Sequence, residues 1–161
     1  MRMNRRGVML CTAGLLGVLA FSHAGSAQRG TANARITVVE HRQALMDRVG
    51  KLMKALGTSS SNGFDDLGAA RQSAAALHDT ASRAARTWPA GTAVGTGKSA
   101  AKPEIWTQKA RFDREMAAFV SAARGVNVAL AQGERSAARQ HFDNLGKTCK
   151  SCHTAFKGKK P

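Results

Sequence analysis

The chain has 161 residues, enough for one domain and short for two. An apolar fraction of 43% excludes a wholly disordered chain, and 5% aromatic residues, with no Tyr, exclude a sandwich or barrel. The formal net charge of +15 directs the protein toward acidic partners or anionic surfaces and carries no information on fold.

Residues 1–6 hold three arginines and no acid, and residues 8–21 form an apolar run followed by Ala24, Gly25, Ser26 and Ala27. Fourteen residues are too few to span a bilayer, which takes about 20. The pattern is that of a secretory signal peptide over residues 1–27, cleaved after Ala27. It directs the protein to the periplasm, discards Cys11, and leaves a mature chain, residues 28–161, with no expected membrane span. The mature charge is +12, from 22 basic and 10 acidic residues.

From Ala34 to Leu56, the residues Ile36, Val39, Met46, Val49, Met53 and Leu56 recur at helical spacing, interrupted by Gln43. Residues 57–63, rich in Gly and Ser, predict a break. A second helix is expected from Asp65 to about Thr87, with the stripe Leu67, Ala70, Ala74, Leu77, Ala81, Ala84 and Trp88. Asp65 and Asp66 suit its N-terminus, where unpaired amides favour negative charge. Pro89 and Gly91 stop it, and residues 91–102 read as a loop.

The third helix opens at Pro103-Glu104, where Pro gives up only an unneeded donor. It carries Ile105, Phe112, Met116, Phe119, Ala123, Val126 and Leu130, and ends at Gly133. The fourth runs from Glu134 to about Lys157 with Ala138, Phe142, Leu145, Cys149, Cys152 and Phe156. Helices of matched length with short or moderate links predict an all-α, antiparallel up-down-up-down four-helix bundle. Alanine buries little apolar area, so a large apolar ligand between the helices would complete this core.

Cys149-Lys150-Ser151-Cys152-His153 reads C-x-x-C-H, the attachment pattern of c-type haem. Residues i and i+3 share a helical face, so both thiols reach the two vinyl groups of one porphyrin. The next residue then presents an imidazole to the iron. One haem c, covalent through Cys149 and Cys152 with His153 as axial ligand, is the expected cofactor. Phe112, Phe119, Phe142, Leu145 and Phe156 are its expected apolar surroundings. A zinc site would need a second cysteine pair, which the mature chain lacks. A dithiol redox pair belongs at a helix start in a βαβ unit, not near the end of a last helix.

A sixth ligand would come from Met46, Met53 or Met116. Along the first helix Met46 lies roughly 15 Å in and Met53 roughly 25 Å in. His153, near the end of an antiparallel fourth helix, faces the first half, which disfavours Met53. Met116 lies at about the level of Met46, and geometry alone does not separate them.

A C-x-x-C-H near the end of a fourth helix resembles the class II c-type cytochromes, cytochrome c′ and cytochrome c-556. Arg42-Gln43-Ala44-Leu45-Met46 is similar to the family's first-helix stretch, and Lys102-Pro103-Glu104-Ile105-Trp106 to its entry into the third helix. In this family the position four residues after the first-helix arginine faces the distal side of the haem. It is an apolar non-ligand in cytochromes c′ and Met in the c-556 type. The resemblance therefore implies that Met46 ligates the iron, that Arg42 pairs with a haem propionate, and that the protein is a low-spin carrier of single electrons rather than an enzyme. A Met–His pair raises the reduction potential and suits that role.

The alternative is a five-coordinate, cytochrome c′-like iron that binds nitric oxide or carbon monoxide. Lys157 departs from the family, where many members have Arg. Expected partners are acidic redox proteins, and the resemblance implies a homodimer through the first two helices. His41, His78 and His141 lack ligand spacing. The basic tail of Lys157, Lys159 and Lys160 has no interleaved aromatics, so nucleic acid is not an expected partner.

Overall fold

The computed structural model describes residues 22–159. Five helices follow in order: α1 Ser22–Ser61, α2 Leu67–Ala84, α3 Glu104–Thr107, α4 Lys109–Gln132 and α5 Arg135–Phe156. Among the described residues there is no strand, only a bridge between Ala101 and Lys157. The expected signal peptide lies mostly outside the described residues, and its boundary after Ala27 falls inside α1.

The four long helices form the expected bundle. Short links make α1 and α2, and α4 and α5, antiparallel neighbours. Between α2 and α4 the direction is set by contacts at both ends. Arg71 Nε at the start of α2 donates to Leu130 O at the end of α4, 2.8 Å away. Trp88, just past α2, meets Phe112 in the first turn of α4 edge-to-face, with ring centroids 4.9 Å apart.

Local chemistry accounts for the helix ends. Asp66 caps α2 by accepting from the Ala69 amide at 2.9 Å. Gly133 ends α4 in the left-handed conformation, φ 79°, while its amide and that of Glu134 satisfy Leu130 O and Ala129 O. Four boundaries differ from expectation, the first being the start of α1 at Ser22 rather than at Ala34. The first helix continues through Gly57 to Ser61, with Thr58 and Ser61 hydroxyls bonded to carbonyls one turn back. The second stops at Ala84, short of Thr87, whose hydroxyl bonds back to Ala84 O. The third is broken at Gln108, φ −116° and ψ 42°, into α3 and α4.

The buried face of α1 is also rotated from the expected stripe. Val39, Arg42, Leu45, Val49 and Leu56 are buried, Met46 and Met53 are half-buried, and Ile36 is exposed. A straight helix drifts about 20° per heptad against a strict seven-residue repeat. Steps of three and four residues therefore locate the face only to within one position. On the other helices the stripes hold: Ala70, Ala74, Leu77 and Ala81 of α2, Phe112 to Leu130 of α4, and Leu145 and Phe156 of α5 form one core, and Ala84, next in the α2 stripe, is buried as well.

Candidate functional site

Cys149, Cys152 and His153 lie in the last two turns of α5. Both cysteines are free, half-buried and packed against the core, so their thiols line its edge. Burial pushes both thiol pKa values up, that of Cys152 to about 11, where the charge of Glu115 adds to the effect. His153 is exposed by area, yet partial burial of its ring, followed by the charge of Lys157, pulls its pKa below the ordinary value. Between the two cysteines, Ser151 donates to the same Glu115 on α4 at 3.1 Å.

The helices close around the core along α1–α2, α2–α4 and α4–α5, while α1 and α5 pack together little. Their clearest meeting point is Gly57, where the ring tip of Phe142 lies 3.7 Å from the position a Cβ would take. This contact sets the register of the open seam. Met46 stands eleven residues before Gly57, and His153 eleven after Phe142, in helices that run in opposite directions. Both are therefore displaced by roughly 16 Å toward the same end of the bundle. Met46 is half-buried and outside the core cluster, whereas Met53 packs against it and Met116 is 5% exposed within it. The fold thus brings Met46 and His153 to one level on facing helices and puts Met116 in the packed interior.

Arg42 is 4% exposed, one turn before Met46. Its Nη1 donates to Thr87 O at 3.2 Å and Thr92 Oγ1 at 2.9 Å, and its Nη2 to Thr92 O at 2.8 Å and Ser99 Oγ at 3.0 Å. The guanidinium lies 4.5 Å over the Trp88 ring. All these partners are neutral, and burial draws its pKa down to about 10. A buried cation without a carboxylate at hand suits an anionic group placed beside it. Thr92 and Ser99, the residues that seat Arg42, had no signal in the sequence, since their hydroxyls gain a role only where the loop folds back onto α1.

A cavity of about 830 Å³ lies elsewhere, between α1, the end of α2 and the start of α4, with Trp88 and Phe112 in its wall. None of Met46, Cys149, Cys152 and His153 lines it. His41 borders this cavity, and His141 packs over Gly125; among the described residues no cluster of three metal-ligating side chains forms. No described helix is long and apolar enough to cross a membrane.

A family model described as Cytochrome C′ matches residues 37–157, which takes in Arg42, Met46 and the whole C-x-x-C-H. The chain belongs to the cytochrome c′ family. Cytochrome c′ of Rhodopseudomonas palustris is 30% identical over 135 residues, covering 81% of this chain and 88% of that protein. The solved cytochrome c′ of Shewanella frigidimarina superposes with a TM-score of 0.70 at 27% identity, over 78% of this chain and 97% of that one. Another solved cytochrome c′, with ligand-controlled dimer dissociation, gives 0.70 at 26% identity, over 78% and 97% of the two chains.

The cytochrome c′ family carries covalent haem c, and the residues of this chain fit it. Two thiols share one face of α5, the seam beside them is left open by α1, and an uncompensated guanidinium is buried near its end.

Proposed function

We propose that the protein is an exported, periplasmic, monohaem cytochrome c′ in which His153 would hold the iron and the iron would take nitric oxide or carbon monoxide as a further ligand. The observation that carries the reading is the C-x-x-C-H beside the open α1–α5 seam, and the cytochrome c′ relatives support it. Haem c, when bound, supplies a redox-active iron with axial positions for ligands. Cys149 and Cys152 hold it covalently, His153 orients it, and Arg42 offers its charge to a propionate. Half-buried Met46 and Met53, with Phe142, exclude water from the seam.

A second reading rests on one specific observation, the shared level of Met46 and His153. Thioether ligation there would make the protein a low-spin carrier of single electrons, as the sequence led us to expect. Met46 is favoured over Met116 because Met116 already packs in the core.

The ferric absorption spectrum decides. A high-spin ferric iron, with rapid CO binding to the ferrous form, supports gas binding. A low-spin iron whose far-red Met–iron band disappears in Met46→Ala establishes the electron carrier. Haem stain on a denaturing gel tests the common ground, since colour that leaves with the solvent ends both readings. Export is tested by N-terminal sequencing of the periplasmic protein, which should begin at Gln28. A homodimer through α1 and α2 fits the dimeric relative, and sedimentation with and without CO measures it.

A further inference from the structure

We propose that Lys102 is a positioning residue on the proximal side of the haem: its ammonium, fixed on the last carbonyls of α5, raises the reduction potential of the iron that His153 holds. The proposal rests on the haem reading above.

Lys102 belongs to the loop before α3 and reaches across to the end of α5. Its Nζ donates to Thr154 O at 3.2 Å and to Ala155 O at 3.4 Å, the carbonyls of the two residues that follow His153. The backbone clips the same two segments together. The Lys102 amide donates to Phe156 O at 2.9 Å, the Gly158 amide donates to Ala100 O at 2.7 Å, and Ala101 bridges to Lys157. None of these backbone bonds needs the lysine side chain.

The electrostatic argument has a definite sign. The terminal carbonyls of a helix carry about half a negative charge. His153 sits in the last turn of α5, so that negative end lies against the imidazole and favours the ferric state. A cation seated on those carbonyls opposes it and favours the ferrous state. Among the described residues no carboxylate forms an ion pair with Lys102. Lys102 is half-buried and tethered; Lys157, one turn after His153, acts on the same imidazole but is exposed and more open to screening by salt.

The test is an equilibrium redox titration of the holoprotein as wild type, Lys102→Met, Lys102→Gln, Lys102→Arg and Lys157→Met, with the ferrous iron–histidine stretch recorded for each. Lys102→Met and Lys102→Gln should lower the potential, shifting the ferric–ferrous equilibrium constant about two- to fivefold toward ferric. Lys102→Arg should restore it. Gln retains a donor to the carbonyls, so it reports the loss of charge even if Met disturbs the last turn. An unchanged potential in Lys102→Gln with full haem content overturns the proposal. So does a fall in Lys102→Arg equal to that in Lys102→Gln, or a larger fall in Lys157→Met than in either neutral variant. Wild-type protein that holds no covalent haem would instead remove the haem reading itself.

Discussion

Two seams of the bundle use residues of similar character and come out differently. Along α2–α4, alanines at 70, 74 and 81 and Leu77 face a core to which α4 brings Phe119, Ala123, Val126 and Leu130; all are 6% exposed or less. Small side chains on one helix let large ones on the other fill the space, and the seam closes. Along α1–α5, Met46, Met53, Phe142, Cys149 and Cys152 all remain half-buried, and the helices approach where Gly57 receives Phe142. Gly57, which permits this approach, lies at the far end of the seam from His153. A bundle can thus leave one seam open for a covalently held group while the opposite one supplies its stability.

Five variants test this contrast. The largest effect is expected at the open seam, where Cys149→Ala with Cys152→Ala should abolish haem stain on a denaturing gel. Retained covalent colour would show that the seam is not where haem is held. Next is Phe112→Ala in the closed core, 1% exposed and in edge-to-face contact with Trp88 and Phe156. It should lose about 3–5 kcal/mol in urea unfolding. A loss below about 1 kcal/mol would mean that this core collapses freely around a cavity.

Overpacking sharpens the difference. Ala74→Leu, at a fully buried position between α2 and α4, should cost about 1–3 kcal/mol. Met46→Leu, on the open seam and similar in volume, should cost under about 1.5 kcal/mol in the haem-free chain. Equal costs would show that the two seams are packed alike. The smallest effect is expected outside both. Lys109→Met removes an exposed pair with Asp113, 2.5 Å apart on the surface of α4, and should change stability by only about 0.3–0.5 kcal/mol.

The legible parts of the molecule were those encoded within a turn or two of chain. Asp66 as a cap, Gly133 as a stop and the stripe from Phe112 to Leu130 follow from local spacing and local hydrogen bonds. The same holds for Cys149 and Cys152, whose shared face needs nothing beyond the i, i+3 relation. The α1 stripe was the weak point, because an alternation of three and four residues fits neighbouring faces nearly equally. Arg42 was singled out through its resemblance to a propionate partner. The burial of its side chain under a loop 45 to 57 residues away has no local signature.

By itself the sequence determined that the protein is helical, where three of the helices end to within a turn or so, and that two thiols and an imidazole stand together on the last one. Each of these depends on steric and hydrogen-bonding preferences of adjacent residues, which act before the helices meet. Tertiary structure alone decided which seam stays open, that Met46 stands on that seam at the level of His153 while Met116 is packed in the core, and that Lys102 ends on the carbonyls beyond it. Those outcomes depend on how far each helix rotates and slides when side chains interlock. Small residues such as Gly57 allow a close approach at one point, and bulky ones forbid it elsewhere. That balance is struck between segments up to a hundred residues apart, so no spacing within a single helix can encode it.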